Sequence, residues 1–385
     1  MSEWKNGYFL DYIELNPKVL LKKGDLYPFV DMASVDSITR TPICIKLKQY
    51  TSGVKFQELD TVFARIEPCL QNGKRFLFKD FSSGFGSTEF LVFRAIKNKT
   101  TPLFVYYYMQ TYRIKNIMIN SMTGATGRQR VNNDVFNHLT IKIPSLSIQN
   151  RIAEILSRYD SLIENYQKQV KLLEESAQRL YKEWFVDLRF PGHENTKIVD
   201  GVPEGWEKKK ITKLADIQYG YAFDGKLFNS DKVGVPIVRI RNIPDGYTND
   251  YTTEEASNDY IVKNGDILVG MDGIFHINTW SGGDAFLVQR ACLFRPKNEI
   301  LKGFIFQAIK GPIKVFEQTL VGATVAHLGK KHIDSIEIIM SKKVDLYKPF
   351  NNLFIYRQEL LNQVRHLTEA RDRLLPKLMS GDIEV

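Results

Sequence analysis

The stretch "IPSLSIQNRIAEILSRYDSLIENYQKQVKLLEESAQRLYKEWF" (residues 143–185) decides the fold. Its apolar positions are Ile148, Ile152, Ile155, Tyr159, Leu162, Tyr166, Val170, Leu173, Ala177, Leu180 and Trp184. The steps are four and three in alternation, with one extra residue near Val170. That is a heptad seam carrying a single phase shift. Glycine and proline are absent from 148–190, so nothing interrupts the helix. A second seam follows near the C-terminal end: Leu346, Phe350, Leu353, Arg357, Leu360, Val364, Leu367, Arg371, Leu374 and Leu378. Pro349 suits its first turn, and Pro376 is expected to end or kink it. Each helix runs for roughly 30–40 residues, about 45–60 Å at a rise of 1.5 Å per residue. Helices this long with so narrow a seam need a partner, and each offers itself to the other.

A displacement of 198 residues carries Ile148 onto Leu346, Ile152 onto Phe350 and Ile155 onto Leu353. The same displacement carries Gly124 of "TGATGRQRV" (123–131) onto Gly322 of "VGATVAHLG" (321–329). Other landmarks repeat in order. A Trp-Lys entry occurs in "EWKNGYFLDYIEL" (3–15) and "GWEKKKITKLADI" (205–217). A Pro-led strand is read in "TPICIKLKQY" (41–50) and "VPIVRIRNI" (235–243). An Asp-led apolar run, a second strand, an apolar helix near 102–119 and 301–320, the Gly-Ala-Thr turn and a short strand come next. The chain therefore reads as an internal duplication of α+β class, two mixed α/β domains joined by two long antiparallel coiled-coil helices. The expected boundaries are a first domain at 1–146, a central helix at 147–190, a linker at 191–205, a second domain at 206–343, a distal helix at 344–380 and a tail at 381–385.

Composition narrows the function. The net charge is +9, and most of it lies early. Residues 1–147 hold 20 Lys+Arg against 12 Asp+Glu, whereas residues 191–344 hold 20 against 19. A basic excess concentrated in one region suits a polyanionic partner. No run of about 18 uncharged apolar residues is present, so no membrane-spanning helix is expected. The N-terminal residues do not read as a signal peptide. Cys44, Cys69 and Cys292 lie far apart without a C-x-x-C, which points to a reduced, cytoplasmic setting. Catalytic constellations are missing. The six histidines show no metal-ligand spacing, and the Gly-Ala-Thr turns lack the Lys-Ser/Thr of a phosphate-binding loop. Neither an amino-methyltransferase active-site run nor a translocase motor motif is visible.

Two features suit DNA. The turn at 123–131 exposes backbone N–H groups, and Thr126, Arg128, Gln129 and Arg130 add side-chain donors. In the second copy Thr324 and His327 stand in that region. Alternation along a strand places Lys46, Lys48 and Tyr50 on one face and Ile43, Ile45 and Leu47 on the other. In the second half Arg239 and Arg241 share a face, followed by Asn242. The competing readings are a plain solvated loop and ordinary half-buried strands.

Residues 143–185, with the following linker through "VPEGWEKKKITKLADI", resemble the central conserved region of the specificity subunits of type I restriction-modification enzymes. "RQELLNQVRHLTEARDRLLPKLMSGDIEV" (357–385) resembles their distal conserved region. One departure is "SKKVDLYKPFNNLF" (341–354), a poor copy of the Pro-x-x-x-Gln entry that the first half keeps as Pro144 to Gln149. The resemblance implies a non-catalytic subunit serving DNA methylation and phage defence. Its two domains would be target recognition domains, each reading one half of an asymmetric bipartite DNA site, with the paired helices as a ruler for the unread spacer. It implies docking of two modification methyltransferase subunits, mainly through helices, and through them restriction subunits with translocase and nuclease activity. Helix residues expected in that scaffold are Ile152, Ile155, Tyr159, Leu162, Tyr166, Leu180, Phe350, Leu353, Leu360, Val364 and Leu367. S-adenosylmethionine, ATP and Mg²⁺ would belong to the partners, with no cofactor in this chain. The alternative is a non-catalytic coiled-coil adaptor whose globular domains bind proteins.

Overall fold

Gln149 starts the first long helix. Its fully buried amide accepts from the Thr101 backbone N–H at 3.0 Å and donates to the carbonyls of Lys99 and Pro144, both at 2.9 Å. The helix then runs Leu146–Tyr181 and closes in a π-helical turn, Lys182–Val186. The distal helix is Lys348–Ser380, preceded by a 3-10 turn at Val344–Tyr347. It continues through Pro376 instead of ending there, and Gly381, at φ +84°, terminates it in the left-handed conformation that suits glycine. These features belong to a computed structural model that describes residues 4–320 and 326–385. Thr324 and the second Gly-Ala-Thr turn lie outside the described residues. The segment between the halves is not featureless: Ile198–Val199 pairs with Val202–Pro203.

The chain divides into two units, Met1–Asn165 with His366–Val385, and Tyr166–Arg365. Each unit holds one mixed domain and one stretch of each long helix. In unit 1, Ile152, Ala153 and Leu156 of the central helix share a core with Leu375, Leu378 and Met379 of the distal helix. In unit 2, Tyr181, Trp184 and Phe185 pack on Phe350 with ring centroids 5.7–6.4 Å apart. Early residues of one helix thus meet late residues of the other, so the pairing is antiparallel.

Each pairing carries an ion pair, buried on both sides in unit 1, while in unit 2 Glu174 is 39% exposed. Arg371 Nη1 lies 2.7 Å from Asp160, which is 2% exposed and also accepts from Tyr107 Oη. Arg357 meets Glu174 at 2.6 Å and also donates to Thr279 Oγ1 and Asn278 Oδ1. Burial works against the Arg371 charge, but the charges of Asp160 and Asp372 win and keep it firmly cationic. These pairs correct the central seam. The buried positions run Ile152, Leu156, Asp160 and Ile163, whereas Leu162 is 42% exposed and Ile155, Tyr159 and Tyr166 are half-buried. A seam drawn through apolar residues alone shifted by one residue to avoid a polar core position. The distal seam holds, with Phe350, Arg357, Leu360, Arg371 and Leu378 buried, and Leu353, Val364 and Leu367 partly so.

The two domains repeat most of their strands in the same order, unit 2 adding Phe228–Asn229 as an extra edge strand. In unit 1, Lys5–Tyr8 pairs with Thr140–Ile143, as Trp206–Lys210 pairs with Glu337–Ser341 in unit 2. A four-stranded sheet follows in each. Its spatial order is Ile13–Leu15, Phe90–Ala95, Thr61–Ala64, Arg75–Leu77 in unit 1 and Ala215–Tyr219, Ala291–Pro296, Ile267–Gly270, Ile277–Thr279 in unit 2. Each is pinned by a buried carboxylate at one site, Asp60 with Arg94 at 2.7 Å and Asp266 with Arg295 at 2.6 Å. A further sheet in each contains one parallel pair, Leu26–Val30 beside Ser83–Gly86 and Val235–Val238 beside Ala285–Leu287. That register corrects the strand correspondence. The counterpart of "VPIV" at 235–238 is "YPFV" at 27–30, not the segment at 41–50. Two Pro-led strands lie close together in the first half, and composition alone selected the wrong one.

Two outcomes test this packing. Arg371→Ala leaves Asp160 buried without its cation and is expected to cost about 3–5 kcal/mol in denaturant unfolding, against a smaller loss for exposed Arg373→Ala. Lys310 sits 4.2 Å over the Phe306 ring, and burial pushes its ammonium down to about 8, Glu174 opposing and Arg357 assisting. Between that value and the ordinary 10.5 the unfolded chain binds more protons, so stability should rise with pH across this window. Lys310→Met should remove that rise and stabilise the protein at neutral pH by roughly 2–3 kcal/mol, read from unfolding midpoints across pH.

Candidate nucleic-acid interface

The turn at 123–131 is a closed loop in unit 1. Thr123 and Arg130 pair as an antiparallel bridge, with N–H···O distances of 3.0 and 2.9 Å. Gly124 (φ +121°) and Gly127 (φ +77°) provide the left-handed backbone the loop needs. Glu67 holds the loop from beneath. Its backbone N–H donates to Gln129 O at 2.9 Å, and its carboxylate accepts from the Gly127 N–H at 3.3 Å. Arg130 is the clasp: its Nε and Nη2 grip Glu89 at 2.6–3.0 Å, and those hydrogen bonds raise its pKa further. Arg128 and Thr126 are exposed, and the Arg128 guanidinium has no side-chain partner among the described residues. Gln129 is half-buried. The loop therefore separates an anchoring cation, Arg130, from a presented one, Arg128.

The second unit builds the same joint from other residues. His327 bridges Asp272 where Arg130 bridges Ile66. His327 Nδ1 lies 2.5 Å from Asp272 Oδ1, and Arg290 Nη1 lies 2.9 Å from Asp272 Oδ2. Arg290 precedes its strand as Glu89 precedes Phe90–Ala95. A strict displacement of 198 would align His327 with Gln129. The bridge aligns it with Arg130 instead, a displacement of 197.

The cationic strands differ from the expectation. Lys46–Gln49 is an edge strand with every residue exposed. Lys46 and Lys48 do share a face, Lys46 lying 3.7 Å from Asp31 and Lys48 lying 4.0 Å over the Phe29 ring. Tyr50 follows the strand, edge-on to Phe85, with Lys55 over its ring at 5.0 Å. The opposite side is not an inward apolar face, because Leu47 and Ile43 are both 67% exposed and Ile43 precedes the strand. In unit 2 the strand stops at Val238. Arg239 caps a 3-10 turn, Ile240–Asn242, by donating its backbone N–H to Asn242 Oδ1 at 2.8 Å. Arg239 and Arg241 are thus not neighbours on one strand face. Arg241 Nε donates to Asp250 at 3.0 Å, and Asn242 donates to the same carboxylate at 3.2 Å. Burial alone would raise the Asp250 pKa; hydrogen bonds from Arg241 and Asn242 outweigh it and hold the carboxyl below its ordinary range. The Arg239 guanidinium stacks 5.2 Å from the Phe228 ring.

Sequence reasoning passed over the cations of "NPKVLLKKGD" (16–25) together with Lys55 and Arg65. The lysine cluster was legible; its adjacency to Lys55 and Arg65 was not. Among the described residues no group of His, Cys, Asp and Glu could hold a metal ion, and no helix is long and apolar enough to cross a membrane.

The profile of the type I restriction modification DNA specificity domain matches residues 13–175 and again 203–343. The MjaIX type I restriction enzyme specificity subunit of Methanocaldococcus jannaschii is 25% identical over 302 residues, covering 73% of this chain and 69% of that protein. A putative MjaX specificity subunit from the same organism is 23% identical, covering 100% of this chain and 94% of its own length. Among solved structures, the S subunit of a type I restriction-modification system from M. genitalium superposes with a TM-score of 0.54 at 17% identity, over 98% of this chain and 96% of that one. That likeness supports the fold.

The division of labour in the loop is testable. Arg128→Ala should weaken specific duplex binding about tenfold without moving the thermal midpoint. Glu89→Ala should lower that midpoint by freeing the Arg130 clasp. Equal effects of both on the midpoint would contradict the assignment.

Proposed function

The chain belongs to the type I restriction-modification DNA specificity family, and we propose that each of its two units reads one half of an asymmetric, bipartite DNA site. As a specificity subunit it recognises DNA and scaffolds its complex, and it is not itself an enzyme. The observation that carries the two-half reading is the duplication: one specificity domain match falls mainly in each unit, and the units share strand order while their loops differ. Two like scaffolds with different loop residues are what two different half-sites require.

Arg128 and Thr126 in the first unit, with Lys46, Lys48 and Tyr50, are our candidates for DNA contact. In the second unit Arg239 is the corresponding candidate, and His327, engaged with Asp272 as Arg130 is with Glu89, joins the supporting residues. Arg130, Gln129, Arg241 and Asn242 support these surfaces, since their side chains or backbone are engaged in holding the loops. Thr324 stays a candidate from sequence. We place two methyltransferase subunits on the long helices, whose outward residues include Leu162, Leu172 and Ile355. Restriction subunits join through them. S-adenosylmethionine, ATP and Mg²⁺ enter with those partners, and the working compartment is the cytoplasm.

A gel shift of the chain with its methyltransferase partner, against randomised duplex pools at two salt concentrations, tests the reading. The expected outcome is enrichment of a two-part motif with an unread spacer, and affinity that falls as salt rises. Binding that is absent at both salts would overturn it. Retention of protein partners without DNA would instead favour the adaptor.

A further inference from the structure

Unit 1 contains an open cleft of about 450 Å³ that no other feature of the domain explains. One wall is the loop after Ile13–Leu15. It starts at Asn16, whose φ of +48° turns the chain, and whose backbone and side chain bond both backbone groups of Val92 at 2.7 and 3.0 Å. The facing wall is the turn at Gly53, Val54 and Lys55. A Cβ on Gly53 would lie 2.3 Å from Gly86 O, so only glycine allows that close approach. Half-buried Pro17, Val19 and Val54 supply the apolar surface that the cleft exposes, over a floor of fully buried Phe90 and Val92.

The charged lining is one-sided: Lys18, Lys55 and Arg65, with no carboxylate. Arg65 Nη2 donates to Val131 O at 3.1 Å, while its Nε is buried without an acceptor. A buried donor left unsatisfied needs an explanation, and an acceptor brought by a ligand is one. Leu20, 95% exposed, stands at the rim, with Lys18 before it and Lys22 and Lys23 after it. A lone exposed leucine means little. One on a lysine loop, beside a cationic cleft with an apolar floor, has the chemistry of a wedge between stacked bases. The other half does not repeat this site. Arg65 O accepts from Val131 N as Met271 O accepts from Leu328 N, so buried Met271 stands where unit 1 has the cation.

We propose that this cleft takes one nucleotide unstacked from the duplex that unit 1 binds. Its base lies against Pro17, Val19 and Val54, above the Phe90–Val92 floor, with an edge acceptor toward Arg65. Its phosphate lies near Lys18 and Lys55, and Leu20 fills the gap left in the stack. The proposal rests on the DNA-recognition reading above. Apolar walls with cations and no acid fit a nucleotide better than an acidic peptide, which would leave the floor unused.

The test uses the full chain in complex with its methyltransferase partner and a duplex carrying its selected motif. 2-Aminopurine is placed at one position at a time across both half-sites. A several-fold fluorescence rise is expected at one position, reduced by Leu20→Ala and by Lys55→Ala, with affinity weakened about tenfold. A duplex lacking that one base should still bind the wild type. Arg65→Met, which installs the residue of the second unit, should act likewise if its thermal midpoint is retained. Specific binding with no brightened position would overturn the proposal. So would a bright position indifferent to Leu20→Ala and Lys55→Ala, which would assign the unstacking to the methyltransferase. Tight binding of adenosine monophosphate without DNA would make the site one for free nucleotide and also overturn it. Loss of the methyltransferase from the Leu20→Ala complex with unchanged fluorescence would make Leu20 a protein contact, again against it. Absence of sequence-specific binding by the wild type would remove the DNA reading itself, a separate failure.

Discussion

Two ion pairs, buried Asp160 with Arg371 and half-exposed Glu174 with buried Arg357, fix how the long helices meet. Glu174 lies 14 residues after Asp160, and Arg357 lies 14 before Arg371. Both pairs therefore specify one antiparallel register, two heptads apart. A seam of apolar residues alone is satisfied nearly as well after a slip of one heptad. A slip here would leave buried Asp160, Arg357 and Arg371 without their partner charges. That penalty exceeds what a well-made pair contributes over an apolar one, so the pairs act on register more than on stability. Each is also tied into its own domain, through Tyr107 in one unit and through Thr279 and Asn278 in the other.

The same economy appears inside the domains. Asp60 with Arg94, and Asp266 with Arg295, sit at equivalent points of equivalent sheets. They bind the strand Phe90–Ala95 to the turn before Thr61–Ala64 in one unit, and Ala291–Pro296 to the turn before Ile267–Gly270 in the other. Conserving such a joint between copies keeps the strand order fixed while surface residues diverge. The duplication is thus visible in buried ionic joints and hydrogen-bond register rather than in residue identity.

Much of this was legible in sequence. Period located both helices within a few residues, helped in the central one by the absence of Gly and Pro. The shared displacement exposed the duplication, and the distal seam was right because its two arginines interrupt an otherwise regular pattern. The central seam slipped because Asp160 is polar and Tyr159 and Leu162 are apolar, so hydropathy alone chose the wrong neighbour. The segment 41–50 looked like a half-buried strand, since nothing in its alternation says that no layer packs behind it. Arg239 and Arg241 looked like strand neighbours because a single capping bond, from the Arg239 N–H to Asn242, ends the strand early. Which cations are free and which are clasped depends on acids distant in sequence, Glu89 for Arg130 and Asp250 for Arg241. No local pattern carries that information.

The divergence between copies is itself ordered. At the joint beneath the loop, unit 1 has Arg65, Glu89 and Arg130 where unit 2 has Met271, Arg290 and His327, and Asp272 replaces Ile66. The acid has moved from one strand to its neighbour, and the cations have moved to face it. Each joint is therefore closed by an ion pair, but the pair points in opposite senses. In unit 1 the clasp consumes Arg130 and leaves Arg65 and Arg128 in excess. In unit 2 Arg290 and His327 both face the one carboxylate of Asp272, and no cation stands at the Arg65 position. Counterion release scales with cations that reach phosphate, so on the reading proposed above the first unit would supply the larger share of sequence-blind attraction. The second unit, nearly neutral in charge, would then draw more of its grip from shape and hydrogen bonding. A chain built twice on one scaffold thus divides its labour by where it places a few carboxylates.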